Sequence, residues 1–166
     1  MRDTPVVRAH LHLLGGEGAV TFTLDDEIRV GVTHLLTSYQ YLADTGKVER
    51  LAQLFAPDGV LEIGAEKFAG PDEVLGLFTR TSGQFVDADF LPARHHLSSI
   101  YVEPQPDGSA KTYACFQFIG TRGLDHWGTY RDVAVAGEDD SWRFKHRRVI
   151  TEGFAPGSRL APPPTT

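Results

Sequence analysis

Four long strand patterns in succession fill the second half of this chain, and they constrain its fold more than any other feature. They run about His95 to Glu103, Ala110 to Arg122, His126 to Ala136 and Trp142 to Thr151. Turn chemistry separates them: PQPDGS, a short link at Gly123, and AGEDDS. Strands joined this tightly pair antiparallel. What precedes them is helical. Thr23 followed by Asp26 reads as a capping box with Asp in place of Glu or Gln, and Asp25, Asp26 and Glu27 crowd the first turn, where the helix dipole favours acids. Ile28, Val32, Leu35, Tyr39 and Leu42 then recur at helical spacing, which predicts a helix of about 18 residues ending at Gly46. A shorter helix follows, with Val48, Leu51, Leu54 and Phe55 inward and a stop before Pro57. GVLEI and EKFAG read as a hairpin, Pro71 opens a third helix, PDEVLGLFTR, and Gln84 to Pro92 form a loop.

Helices first and antiparallel strands afterwards mean α+β, not a doubly wound sheet. The pattern predicts a cone-shaped barrel, with a curved antiparallel sheet wrapped over N-terminal helices and a pocket between the layers. Residues 1–22, broken by Gly15 to Gly18, are expected as an N-terminal extension, 23–154 as one domain, and the proline-rich 155–166 as a flexible tail. The 166-residue length suits one core.

A net charge of −6 argues against nucleic-acid or anionic-membrane partners. The cluster Lys145 to Arg148 is the local exception, and alternation would split it between two faces, solvated or subunit-facing. The single Cys115 cannot form an internal disulfide and reads as a core filler. The first apolar run is interrupted by Arg8, His10 and His12, so neither a signal peptide nor a membrane span is expected, and the location expected is cytoplasmic. No HExxH, paired CxxC, GxGxxG, P-loop or GxSxG motif occurs, and His10, His12, His95 and His96 form no ligand set. The chemistry left is acid–base work with no metal and no cofactor, on a small-molecule substrate.

Asp44 ends the first helix, where the dipole disfavours a carboxylate, so it is either a general acid or base in a cavity or a turn residue of ADTG. His95 and His96 open a strand, and neighbouring strand side chains point to opposite faces. His95 would share a face with Leu97, Ser99 and Tyr101; His96 would share the other with Ser98, Ile100 and Val102. Hydroxyls around an imidazole favour His95 as the cavity residue, against a structural role in the strand. His126 would share a face with Gly128, Tyr130 and Asp132, either joining His95 or capping its strand. Tyr39 and Tyr41 lie on the first helix, Tyr39 on its apolar stripe; Tyr39, Tyr41, Ser99, Tyr101 and Tyr130 complete the candidate substrate-contacting set.

YLADTGKVERLAQLFAPDGVLEI, KFAGPDEV, RHHLSSIYVE, HWGTYRDV and the closing WRFKHRRV together resemble, in order and spacing, the SnoaL-like branch of the nuclear transport factor 2-like superfamily, and within it the scytalone dehydratases. The likeness spans Asp25 to Gly153. It implies a cone-shaped fold, cofactor-free removal of water from a cyclic ketone, and a catalytic trio at Asp44, His95 and His126, the last acting as donor to a carbonyl or leaving hydroxyl. It also implies an oligomer, dimer or trimer, formed through the outer face of the sheet, with His96 facing outward. The dehydratases carry tyrosines at the positions of Ala43 and, approximately, Ile63. Scytalone itself is therefore not the expected substrate, and a related elimination, isomerisation or cyclisation of a cyclic apolar carbonyl or polyketide-like compound is. Two alternatives share the fold. One is a non-catalytic binding protein or dioxygenase small subunit; the other is an epoxide hydrolase, which needs an Asp–Arg–Asp array that Arg131 and Asp132 only hint at.

Overall fold

The computed structural model describes residues 22–81, 91–158 and 160–161. Most of the loop expected at Gln84 to Pro92 lies outside these residues. Helix α1 (Leu24–Asp44) starts at the expected box: the Asp26 amide donates to Thr23 Oγ1 at 3.2 Å and the Thr23 amide to Asp26 Oδ2 at 3.0 Å. It ends in a Schellman arrangement, with Lys47 N–H donating to Leu42 O and Gly46 N–H to Ala43 O. Gly46 sits at φ +67°, where a side chain would be strained, so the glycine fixes where the helix stops and thereby where Asp44 points. Helix α2 (Val48–Ala52) is shorter than expected, because Phe55 already begins strand β1 (Phe55–Ile63). Strand β2 (Glu66–Ala69) pairs back on β1, and helix α3 (Gly70–Thr81) follows.

Strands β3 (Arg94–Pro104), β4 (Ala110–Gly120), β5 (Gly123–Ala136) and β6 (Trp142–Phe154) form the expected antiparallel run. The six strands lie in the order β2-β1-β6-β5-β4-β3, and β1 joins β6 in parallel, the one pairing the turn chemistry could not signal. The fold is α+β, with a curved open sheet and N-terminal helices. Ile28, Val32, Leu35, Leu36, Tyr39 and Leu42 of α1 pack into one core with Phe116, Tyr130 and Phe144 of the sheet. Trp142 closes the other end over Gly31, where any Cβ would lie 2.4 Å from the indole. Among the described residues no helix is long and apolar enough to cross a membrane.

The sheet bends through β-bulges, each of which inserts one residue and inverts the in–out alternation beyond it. On β3, Ser98 pairs with Cys115 but Tyr101 with Tyr113, so Ser99 and Ile100 together face Ala114, and Ser99 takes φ +50°. On β5, His126 pairs with Phe118 but Leu124 with Ile119, leaving Asp125 as the extra residue. On β6, Phe144 pairs with Ala134 but His146 with Val133, leaving Lys145 over.

Three expectations are corrected, the first two by these bulges. Ser99 and Tyr101 do not share the inward face of His95: beyond the bulge Ile100 and Val102 turn inward, while Ser99 is exposed and Tyr101 is 61% exposed. Arg147 is not solvated or subunit-facing but fully buried, because the Lys145 bulge brings it to the same side as Phe144. Cys115 is not core. It lies half-buried on the outer face of β4, its Sγ 3.5 Å from the Tyr113 hydroxyl.

Candidate functional site

The inner face of the sheet carries a row of three aromatic rings. His95 pairs with Phe118 across β3 and β4, and Phe118 pairs with His126 across β4 and β5. Two strand spacings separate the histidine backbones, about 10 Å. Both imidazoles lean on the phenyl ring between them, with ring centroids 4.4 Å from Phe118 for His95 and 5.2 Å for His126. Phe116 backs both, at 6.2 and 5.8 Å, and Phe154 closes on His126 at 6.1 Å. His96, one residue on from His95, is exposed.

Each imidazole is wired to a carboxylate through Nδ1. Asp44, its side chain 8% exposed, reaches from the end of α1 to β3, where its Oδ1 lies 2.7 Å from His95 Nδ1. The same carboxylate accepts the His95 backbone N–H, at 3.0 Å to Oδ2 and 3.2 Å to Oδ1. A carboxylate only accepts, so Nδ1 carries the proton, and in the neutral ring it is Nε2 that carries the lone pair. Asp125 lies beside His126, with Oδ1 2.9 Å from Nδ1. Burial is the main influence on His126 and pulls its pKa below the usual 6.5, against the opposing pull of Asp125, with the neighbouring His95 lowering it further. With Nδ1–H directed at Asp125, the neutral imidazole of His126 presents Nε2 as an acceptor, and only the protonated ring would have a donor there.

Behind the row lies a charged core. Phe116 stacks on Tyr130 with centroids 4.6 Å apart, and the Arg147 guanidinium sits 4.0 Å from the Tyr130 ring, 4.0 Å from Tyr39 and 4.5 Å from Phe144. Arg147 meets Asp132 at 3.5 Å, an ion pair with no solvent exposure on either side, and Thr112 donates to Asp132 at 3.0 Å. Burial raises the pKa of Asp132, with Arg147 opposing. Burial likewise raises Tyr39 and pushes Tyr130 up to about 12, so both phenols stay protonated. The Gln40 carboxamide lies close enough to the Tyr130 phenol to favour its ionised form, but falls outside hydrogen-bond geometry. Among the described residues, none of the three guanidinium nitrogens of Arg147 closes a hydrogen bond.

Asp44, His95 and His126 thus come together, while Tyr39 and Tyr130 belong to the buried layer around Arg147. Tyr41 does not join them: it is 56% exposed and its hydroxyl accepts from Lys47 at 2.8 Å. Arg131, paired with Asp132 in the epoxide-hydrolase alternative, is exposed, and the partner of Asp132 is Arg147. Two residues were missed by reading the sequence, Asp125 and Arg147. Both sit on faces that strict alternation denies them, and the only signal was their polarity beside inward residues.

The model of the SnoaL-like domain matches residues 26–148. Among solved structures, the chain resembles a protein of unknown function with a cystatin-like fold from Nostoc punctiforme (17% identity over 80% of this chain and 95% of that one, TM-score 0.67). It also resembles a protein from Novosphingobium aromaticivorans provisionally named a scytalone dehydratase (23%, 76% and 85%, TM-score 0.63). A third is ActVI-ORFA from Streptomyces coelicolor (17%, 76% and 98%, TM-score 0.61). At these identities the likeness fixes the fold and nothing finer. Among curated proteins, none matches the sequence. With the family model covering most of the chain, and the helices and sheet arranged as in these neighbours, the protein belongs to the SnoaL-like domain family.

Proposed function

We propose that this protein is a cofactor-independent acid–base enzyme, a dehydratase, isomerase or cyclase, acting on a cyclic, largely apolar carbonyl compound of polyketide type. The observation that carries the reading is the 2.7 Å contact between Asp44 and His95 Nδ1. It leaves His95 Nε2 as an oriented base on an aromatic surface, the arrangement that proton abstraction beside a carbonyl needs.

A flat ring lying over Phe118 would have His95 on one side and His126 on the other. His95 Nε2 takes the proton from the carbon next to the carbonyl, and Asp44 stabilises the imidazolium that forms. The electron pair moves into the enolate. In a dehydration the imidazolium of His95 returns its proton to the hydroxyl that leaves, so the base is regenerated. In an isomerisation it returns the proton at another carbon. His126 accepts a hydrogen bond from a substrate hydroxyl and holds the ring in place.

The test need not presuppose the product. Cyclic ketones of one to three fused rings, with and without a β-hydroxyl, are incubated with the protein in deuterated buffer, and loss of the proton beside the carbonyl is followed by NMR. Exchange above background is expected for at least one member. His95→Gln should lower it by about 10²–10⁴-fold, the usual contribution of a general base. Full exchange in Asp44→Asn or His95→Gln, or none with any member that binds, would leave the protein a binding module.

A further inference from the structure

The second carboxylate–imidazole pair has a foundation that the first lacks. Adjacent residues of a strand point to opposite sides, yet Asp125 and His126 are both buried, at 6% and 7% exposure. The bulge on β5 makes this possible by leaving Asp125 unpaired opposite β4. Its carboxylate is then gripped from a different part of the chain. After β6 the sequence Ala155-Pro156-Gly157-Ser158 forms a turn closed by Ser158 N–H donating to Ala155 O, with Gly157 at φ +80° in the position a type II turn reserves for glycine. Ala155 N–H donates to the Asp125 backbone carbonyl at 2.7 Å, and Ser158 Oγ donates to Asp125 Oδ1 at 2.8 Å, the same oxygen that faces His126 Nδ1. The Leu160 amide donates in turn to Ser158 Oγ. Hydrogen bonding to the domain therefore continues four residues past the boundary expected at 154.

We propose that Asp125 is a positioning residue for His126 and that Ser158 holds it in that orientation, so the turn after β6 is a working part of the acid–base site. The inference rests on the reading that places His126 in that site. Ser158 sits on the carboxylate side of the pair, away from Nε2, so it is an anchor and not a nucleophile. Among the described residues, His95 from β3, Phe116 and Phe118 from β4, and Phe154 from β6 also face the ring. A free histidine favours the Nε2–H tautomer, whereas this arrangement demands Nδ1–H. That difference can be read directly, without any substrate.

The experiment is a long-range proton–nitrogen NMR correlation on the ¹⁵N-labelled full chain, with the His126 signals identified from His126→Gln. Wild-type protein should show a protonated Nδ1 and a bare Nε2 at neutral to alkaline pH. Asp125→Asn should lose that preference and lower the His126 titration midpoint by about one pH unit or more, the effect of removing an adjacent opposite charge. Ser158→Ala should keep the tautomer but exchange its Nδ1 proton about tenfold faster, as expected for one lost hydrogen bond to a charged group. An Nε2–H tautomer in the wild type, or unchanged signals and midpoint in Asp125→Asn, would overturn the proposal. Unchanged exchange in Ser158→Ala would overturn the anchoring role. Should Asp125→Asn not fold, the wild-type tautomer and the Ser158 variant still decide. Ketone exchange plays no part in this readout, so failure of the enzymatic reading and failure of this inference are seen separately.

Discussion

Asp44 sits at a helix end that disfavours a carboxylate, yet the geometry predicts that it stabilises the fold. Its carboxylate joins the end of α1 to the start of β3, accepting the backbone N–H and the Nδ1–H of His95 across 51 positions of sequence. A hydrogen bond to a charged group contributes about 1.5–3 kcal/mol, so the two donors together represent roughly 3–6 kcal/mol. Against this stands the poor placement of an acid at a helix C-terminus, about 0.3–1 kcal/mol. The net loss for Asp44→Ala is therefore about 2–5.5 kcal/mol, which for a chain of this size lowers Tm by roughly 4–22 °C. Asp44→Asn keeps one acceptor oxygen and should fall between. Urea titrations and thermal unfolding at neutral pH measure both. An alanine variant as stable as the wild type, or more so, would refute the reasoning: Asp44 would then be a strained functional residue and not a clamp between layers.

Other consequences follow from the buried charges and the bulges. Asp132→Leu should cost about 3–5 kcal/mol because it strands the Arg147 charge, and adding Arg147→Met should recover most of that loss; urea midpoints of the single and double variants decide it. His126 has a folded-state pKa below 6.5, so it contributes stability above that pH that is lost as pH falls through the lowered value. The slope of unfolding free energy against pH below about 6.5 should accordingly flatten in His126→Gln. Ser99→Gly relieves a left-handed residue and should be neutral or up to about 1 kcal/mol more stable, whereas Ser98→Gly in the same strand should lose about 0.5–1 kcal/mol.

Much of this architecture was legible in the sequence because local chemistry dictates it. Thr23 and Asp26 start α1, Gly46 ends it, and PQPDGS and AGEDDS turn the strands. Asp44 and His95 could be singled out because one sits at an unfavourable helix end and the other at a strand start. The parallel pairing of β1 with β6 was not legible, since it joins segments distant in sequence with no turn between them. Nor were the bulges. An extra residue changes neither composition nor hydrophobicity, but every position beyond it is assigned to the wrong face. That is why Ser99 and Tyr101 were expected inside and Arg147 outside.

The same bulges explain how charge enters an otherwise apolar interior. A strand that buries alternate apolar residues has no place for Asp125 next to His126, nor for Arg147 three residues from Phe144. One inserted residue creates each place at the expense of local ladder hydrogen bonds. Each disruption is then tied down elsewhere: Lys145, the extra residue on β6, pairs outward with Asp58 of β1, and Asp125 is held by Ser158. Such costs are unnecessary if the interior only has to be stable, because a fully apolar core would be at least as good. Here the interior instead holds two imidazoles with Nδ1 on carboxylates, both against the Phe118 ring, and a buried guanidinium ion-paired to Asp132. The irregularities of the sheet thus place titratable groups on its inner side where strict alternation would leave apolar ones.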